Sequence, residues 1–111
     1  MTSKLAEAVK NEFNPRVCSH GEAYLALNAV RIRQCDHRTV SAVVSGRELY
    51  IVSLHLVDNE LVVDCNCPHF VDGPCKHVWA TVLAADAKGC LSPPAGTRRL
   101  TFKMSDEYFD D

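Results

Sequence analysis

The sequence predicts an α+β domain built from an N-terminal helix, an antiparallel β-meander of four or five strands and a C-terminal helix. Apolar residues repeat with a helical period near both ends of the 111-residue chain, whereas short runs rich in β-branched residues lie between them. A loop rich in cysteine and histidine joins the last of these runs to the second helical segment. The length fits one domain, and a hydrophobic fraction of 47% is ordinary for a globular protein.

The first helix is expected over residues 3–13, where apolar side chains recur every four residues. Its apolar face consists of Leu5, Val9 and Phe13. The Asn14-Pro15 pair should end this helix, because a residue before proline avoids helical backbone angles. Residues 16–22 are expected to be a loop, so residues 1–17 are assigned to the N-terminal helix and a linker.

The meander is expected over residues 23–64. Turn signals at Ser45-Gly46 and at Asp58-Asn59 separate its later strands. The strand candidates are residues 24–27, 30–33, 39–44, 49–57 and 60–64. The second candidate alternates apolar with charged residues, which is typical of a strand that is half buried in a sheet.

The C-terminal helix is expected over residues 77–88. Its apolar face contains Val78, Val82 and Ala85, and Gly89 follows as the glycine that commonly ends a helix. Proline and glycine interrupt the sequence soon afterwards. Residues 91–111 are therefore expected to be a tail or linker that is partly disordered.

The loop before this helix carries two pairs of metal-binding residue types, Cys65-x-Cys67 and Cys75-x-His77. Side chains at i and i+2 of an extended chain point to the same side, so Cys65 and Cys67 can reach one ion. Glycine and proline between the two pairs allow the chain to reverse. Three thiolates and one imidazole form the closed tetrahedral ligand set of structural Zn²⁺ sites. The sequence therefore predicts a zinc knuckle with Zn²⁺ as its cofactor.

Other uses of the six cysteines have to be weighed against this site. Six cysteines would also fit a disulfide framework in an oxidising compartment. The corresponding alternative function is that of a zinc-free thiol or disulfide redox domain. The absence of a secretory signal favours the cytoplasm and metal ligation. An iron–sulfur cluster is disfavoured, because such clusters usually use four cysteines. His69 forms a competing Cys-x-His pair with Cys67, although the helix start favours His77 as the ligand.

Two further Cys-x-His pairs lie outside the knuckle, Cys18 with His20 and Cys35 with His37. They flank one expected hairpin, so together they would make a second metal site with two cysteines and two histidines. Chance is the better explanation, because a chain rich in both residue types produces such pairs. The two cysteines then serve as small apolar residues.

The knuckle and the helix after it resemble the SWIM zinc finger. The resemblance is carried by Cys65-x-Cys67-x7-Cys75-x-His77 followed by Val78-Trp79-Ala80, by the strands before the motif and by the Gly-Glu-Ala-Tyr segment at residues 21–24. It covers about residues 18–89, which places a SWIM-like zinc-binding domain over residues 18–90. It implies the ligands Cys65, Cys67, Cys75 and His77. It also implies binding of DNA or protein, since SWIM modules occur in bacterial SWI2/SNF2-type ATPases, plant transposase-related regulators and some ubiquitin-pathway proteins. The chain is accordingly expected to be part of a helicase-like or chromatin-remodeller-like protein.

Charge and motif content limit the function further. A net charge of −2 argues against a broad electrostatic contact with nucleic acid. A local basic stripe is a candidate for binding phosphates, and it consists of Arg31, Arg33, Arg38 and Arg47. The simpler interpretation is that these side chains belong to the solvated face of a half-buried strand. No catalysis is expected, because the ligands close the zinc shell and a phosphate-binding loop is absent. The expected partner is a protein or DNA, with no membrane and no small-molecule substrate.

Overall fold

The computed structural model describes residues 4–67, 75–91 and 100–104. Over these residues the chain forms three α-helices and one five-stranded sheet, which confirms the predicted α+β class. The helices are α1 (Lys4–Val9), α2 (Pro15–Ala26) and α3 (Lys76–Lys88), with a 3-10 turn at Lys10–Glu12. The strands are β1 (Val30–Cys35), β2 (Thr39–Ser45), β3 (Leu49–Val57), β4 (Glu60–Cys65) and β5 (Thr101–Met104). None of the helices in the described ranges is long and apolar enough to cross a membrane.

The sheet is an antiparallel meander of β1 to β4, with β5 added in parallel beside β4. Alternation along the strands separates an inner face, which is buried under the helices, from an outer face that is half-buried or exposed. The inner face of the central strands consists of Val40, Ala42, Val44, Val52, Leu54, Leu56, Leu61, Val63 and Cys65. The last inner position of β4 is therefore a predicted metal ligand, which pairs with Val52 across the sheet.

The segment after Phe13 differs from the sequence prediction. Residues 16–22 are not a loop and residues 24–27 are not a strand, because Pro15–Ala26 form α2. Pro15 occupies the first turn, and the Asn14 side chain accepts a hydrogen bond of 2.8 Å from the Arg16 N–H. An Asn-Pro pair that ends one helix can thus cap and begin the next. The boundary expected at residue 17 consequently falls inside a helix.

The predicted tail also contributes to the fold. Residues 91–111 were expected to be a linker or partly disordered, yet Thr101–Met104 form β5. The Thr101 N–H donates a hydrogen bond of 2.9 Å to the Asn59 carbonyl, and Leu100 is buried against the core. A strand of four residues beside a single neighbour carries too little pattern to be recognised from sequence.

Helix α3 packs on the inner face, and α1 and α2 pack against α3, α2 at close range. Gly21 makes this approach possible, because a Cβ atom there would lie 2.7 Å from Trp79 Cδ1 and 3.0 Å from the Lys76 carbonyl oxygen. Trp79 in turn contacts Phe13, with ring centroids 4.9 Å apart. The first helix is shorter than predicted, because α1 ends at Val9 and Phe13 is extended after the 3-10 turn, but Leu5, Val9 and Phe13 are all buried. Helix α2 and the Phe13 ring therefore both contact the first turn of α3.

Candidate metal centre

Strand β4 and helix α3 bring the four predicted ligands together at one end of the sheet. Cys65 is the last residue of β4, and Cys67 follows two positions later on the same side of the chain. Cys75 is the N-cap residue of α3, and His77 lies in its first turn. All four are buried, the most exposed at 5%. The strand end and the helix start therefore present all four side chains to one enclosed point.

The donor atoms of these residues have the spacing that a tetrahedral ion requires. One ligand atom from each of the four lies within 4.8 Å of every other. His77 Nδ1 is 3.8 Å from Cys65 Sγ and 3.7 Å from Cys75 Sγ. Zinc bonds of ordinary length at tetrahedral angles place sulfur and nitrogen about 3.6 Å apart. The four side chains are thus positioned to bind a metal ion, and three sulfurs with one nitrogen are a zinc ligand set.

Asn66 holds the Cys65–Cys67 turn against the sheet. The Asn66 N–H donates to the Ile51 carbonyl at 3.3 Å, and the Ile51 N–H donates to Asn66 Oδ1 at 2.9 Å. In a regular antiparallel pair the second bond would go to the backbone carbonyl of residue 66. The side chain replaces that carbonyl, so the main chain can leave the strand and direct Cys67 to the ion.

The thiols of the site have strongly perturbed pKa values. A hydrogen bond from Cys65 lowers the pKa of Cys75 to about 4, with further contributions from His77 and the Val78 N–H. The same hydrogen bond, together with burial, raises the pKa of Cys65 above its ordinary value. Without metal, one thiolate is therefore stabilised at the start of α3 while its neighbour keeps its proton. Zinc ligation would require all three thiols to be ionised, so a bound ion would displace the remaining thiol protons and compensate the buried negative charge.

Two tyrosines that the sequence did not single out fix the His77 ring. Tyr50 stacks on it, with centroids 4.3 Å apart and planes inclined by 28°, and Tyr24 meets it edge-on at 5.4 Å. Gly46 leaves room for this pair, because a Cβ atom there would lie 3.0 Å from the Tyr24 hydroxyl oxygen. Ring orientation is thus set by α2 and β3, so Nδ1 faces the sulfurs. Only the position of Tyr50 on the inner face of β3 signals this role in the sequence.

The structure does not form the second metal site considered from the sequence. Cys35 is bonded to Cys90 in a disulfide, and Cys18 and His20 lie on α2, the first buried and the second exposed. Metal ligation therefore accounts for three of the six cysteines and not for the whole set. The competing ligand His69 lies outside the described residues.

The four arginines of the predicted basic stripe are exposed but do not lie together. Arg31 and Arg33 are on the edge strand β1, Arg38 lies in the turn before β2, and Arg47 lies in the turn after it. Strand β2 has seven residues, so the two turns are about 20 Å apart. Only the pair on β1 belongs to one local surface.

A comparison with protein-family models finds the SWIM zinc finger over residues 50–86, which is 37 of the 111 residues. This segment contains most of β3, all of β4, the four ligands and most of α3. The similarity expected for residues 18–49 lies outside the match. Searches of curated proteins and of solved structures found no match. Residues 50–86 are therefore similar to a SWIM zinc finger, and they carry a buried set of three cysteines and one histidine that is positioned to bind zinc.

Proposed function

We propose that the chain is a structural zinc module that presents the outer face of its sheet to a protein partner. The observation that carries the structural role is the closed site, in which four donors meet at one buried point. Catalytic zinc keeps a position open for water or substrate, and a fourth protein ligand fills it. The module is accordingly proposed to bind and not to catalyse.

The outer face offers a defined contact surface next to the metal centre. We call Val43, Leu49 and Ile51, with Arg31 beside them, the outer-face patch. Val43 pairs with both Arg31 and Ile51 across the sheet, and Leu49 is two residues from Ile51 on the same face. Leu49 and Ile51 are 67% and 54% exposed. Neighbouring exposed apolar side chains beside a charged rim are typical of protein interfaces.

The charge distribution favours a protein over DNA as the partner. The chain carries a net charge of −2, and the four exposed arginines are spread over β1 and two opposite turns. Binding to a nucleic-acid backbone needs several cations on one surface. Arg31 at the rim of an apolar patch fits an apolar partner surface with an acidic group at its edge.

The helicase-like context implied by the resemblance supplies the first partner to test. The SWIM similarity supports such a context, and the sequence lacks a phosphate-binding loop of its own. The chain is accordingly proposed to be part of a helicase-like protein, whose ATPase is the first partner to test. The cytoplasm is the proposed compartment.

Titration calorimetry of the zinc-loaded chain against that ATPase tests the proposal. Ile51→Glu should weaken binding at least tenfold, because it places a charge in the centre of the outer-face patch. His55→Glu, at an exposed position further along β3, is the matched control and should stay within about twofold of the native affinity.

Fluorescence anisotropy with single- and double-stranded DNA tests the alternative that the partner is DNA. The proposal predicts no salt-dependent DNA binding in the micromolar range. The protein-partner assignment would be overturned by DNA binding with three properties. Such binding would fall steeply with salt, be lost in a variant with Arg31→Glu and Arg33→Glu, and survive Ile51→Glu.

A further inference from the structure

The disulfide between Cys35 and Cys90 lies apart from the metal centre. Cys35 ends β1, and Cys90 follows α3, whose first turn carries His77. Because α3 has 13 residues, its two ends are about 20 Å apart. The metal centre and the disulfide therefore occupy opposite ends of the same helix.

The backbone holds the two cysteines together without help from their sulfur atoms. Cys35 pairs with Val40 across β1 and β2. The Cys90 N–H donates a hydrogen bond of 2.9 Å to the Ala85 carbonyl, after Gly89 has ended α3 in the left-handed conformation. The Cα atoms are 5.2 Å apart, within the range that a disulfide spans. A reduced pair would therefore stay in position to form the bond again.

The two cysteines differ in their access to solvent. Cys35 is exposed at the edge of the sheet, whereas Cys90 is buried at 2% exposure. A thiol from solution can therefore approach the disulfide at Cys35. The three cysteines of the metal centre are at most 5% exposed, and Cys18 is also buried. Accessibility thus separates Cys35 from the other five cysteines.

We propose that Cys35 and Cys90 form a reversible thiol–disulfide site, independent of the zinc centre, that reacts with small thiols and disulfides of the glutathione type. In reduction, a small thiolate attacks Cys35 Sγ and breaks its bond to Cys90 Sγ. Cys90 takes the electron pair and then a proton. A second small thiolate then attacks the small-molecule sulfur of the mixed disulfide on Cys35. Cys35 is released as a thiolate, and the two small thiols leave joined as a disulfide. Oxidation by that disulfide runs the same steps in reverse.

The redox state of this site sets how firmly β1 is attached to the helical layer. The disulfide closes a loop of 55 residues that contains β2, β3, β4 and all four metal ligands. Opening such a loop increases the entropy of the unfolded chain, so the reduced form should melt about 10 °C lower. The edge strand that the bond ties to the helical layer carries Arg31 and Arg33. Oxidation therefore stabilises the same edge that borders the outer-face patch.

Equilibration of the zinc-loaded full chain in glutathione buffers of graded ratio tests the proposal. Portions of each sample are then quenched in denaturant, where all free thiols are alkylated and counted by mass spectrometry, and zinc content and melting temperature are measured on the unquenched portions. The expected result is the reversible appearance of two thiols, with zinc retained throughout and the melting temperature lowered as stated. Cys35→Ser should abolish the transition while keeping zinc and the circular dichroism spectrum, and Cys18→Ser is the matched control that should leave the transition unchanged.

Three results would overturn the assignment. The bond would be inert if no thiols appeared between fully oxidised and fully reduced glutathione under native conditions. Loss of zinc in step with reduction would show that the two sites are not independent. A transition that persisted in Cys35→Ser would assign the chemistry to other cysteines.

Discussion

At the scale of single residues, the metal centre depends on side chains that touch the ligands as well as on the ligands themselves. Asn66 fixes the turn between two cysteines by replacing its own backbone carbonyl in the sheet. Tyr24 and Tyr50 hold the His77 ring from two sides. Partners of this kind orient metal ligands and raise affinity without binding the ion.

Asn66→Ala should lower zinc affinity about tenfold, because it removes the hydrogen bond from the Ile51 N–H to Asn66 Oδ1. The turn that directs Cys67 to the ion is then no longer held against the sheet. The lost hydrogen bond should also cost about 1 kcal/mol of stability. Competition with a chromophoric chelator measures the affinity. Asn66→Asp retains the accepting oxygen and is the control that should bind nearly as the native chain does. Equal affinity for the alanine variant would mean that the side chain has no role in the site.

His77 and His69 can be distinguished by paired substitutions. His77→Ala should abolish stoichiometric zinc binding, because Nδ1 is the nitrogen that faces the two sulfurs. His69→Ala should keep one zinc per chain. Metal analysis after gel filtration measures both, and the reverse pattern would assign the fourth ligand to His69.

At the scale of elements, the contact between α2 and α3 keeps the start of α3 in place. Gly21→Ala should destabilise the protein by about 2 kcal/mol, because the added Cβ meets Trp79 and the backbone of Lys76 and Ala80. Alanine is otherwise the better helix former, so the sign of the effect tests the contact. Urea denaturation measures it, with Ser19→Ala on the exposed side of α2 as the control. A stabilised Gly21→Ala variant would contradict the close approach.

Strand β5 is attached through the residue that precedes it. Leu100→Ala should cost about 3 kcal/mol, since its side chain is 1% exposed and lies in the core. Lys103→Ala, at an exposed position of the same strand, should change stability by less than about 0.5 kcal/mol. Thermal melts of both variants give the comparison. Equal effects would show that β5 is not anchored in this way.

Individual elements also show which parts of the fold could be predicted from the sequence. β2 and β3 were predictable because their residues are rich in β-branched side chains, and the turn signals at Ser45-Gly46 and Asp58-Asn59 separate β2, β3 and β4. Helix α2 was missed because Gly21, which permits helix packing, resembles a loop residue when it is read alone. The Cys35–Cys90 disulfide was missed because its partners are 55 residues apart, and no local pattern reports which strand lies beside which helix end.

At the scale of the whole molecule, the metal centre joins the sheet to the helical layer at one end and the disulfide joins them at the other. The ligand set was predictable because all four residues lie within one short segment, where spacing alone limits the geometry. Helix α2 and the contacts of the two tyrosines with His77 were not, since they involve distant parts of the chain. The centre is thus a local motif whose shape is completed by the rest of the fold.

Metal removal should unfold the end of the sheet that carries the centre. A chelator leaves buried thiols that share their protons and no longer tie β4 to α3. The melting temperature should fall by about 10 °C or more, together with part of the helical circular dichroism. Adding Zn²⁺ should restore both, whereas Mg²⁺, which prefers oxygen ligands, is the control that should restore neither. An unchanged melt after chelation would show that the metal does not stabilise the fold.

The central claim is that one closed set of three cysteines and one histidine binds one zinc ion. Native mass spectrometry counts metal ions per chain and tests it most directly. The account predicts one zinc in the native chain and none in a variant with Cys65→Ser and Cys75→Ser. A chain with no zinc after loading, a second zinc, or zinc retained by the double variant would contradict it.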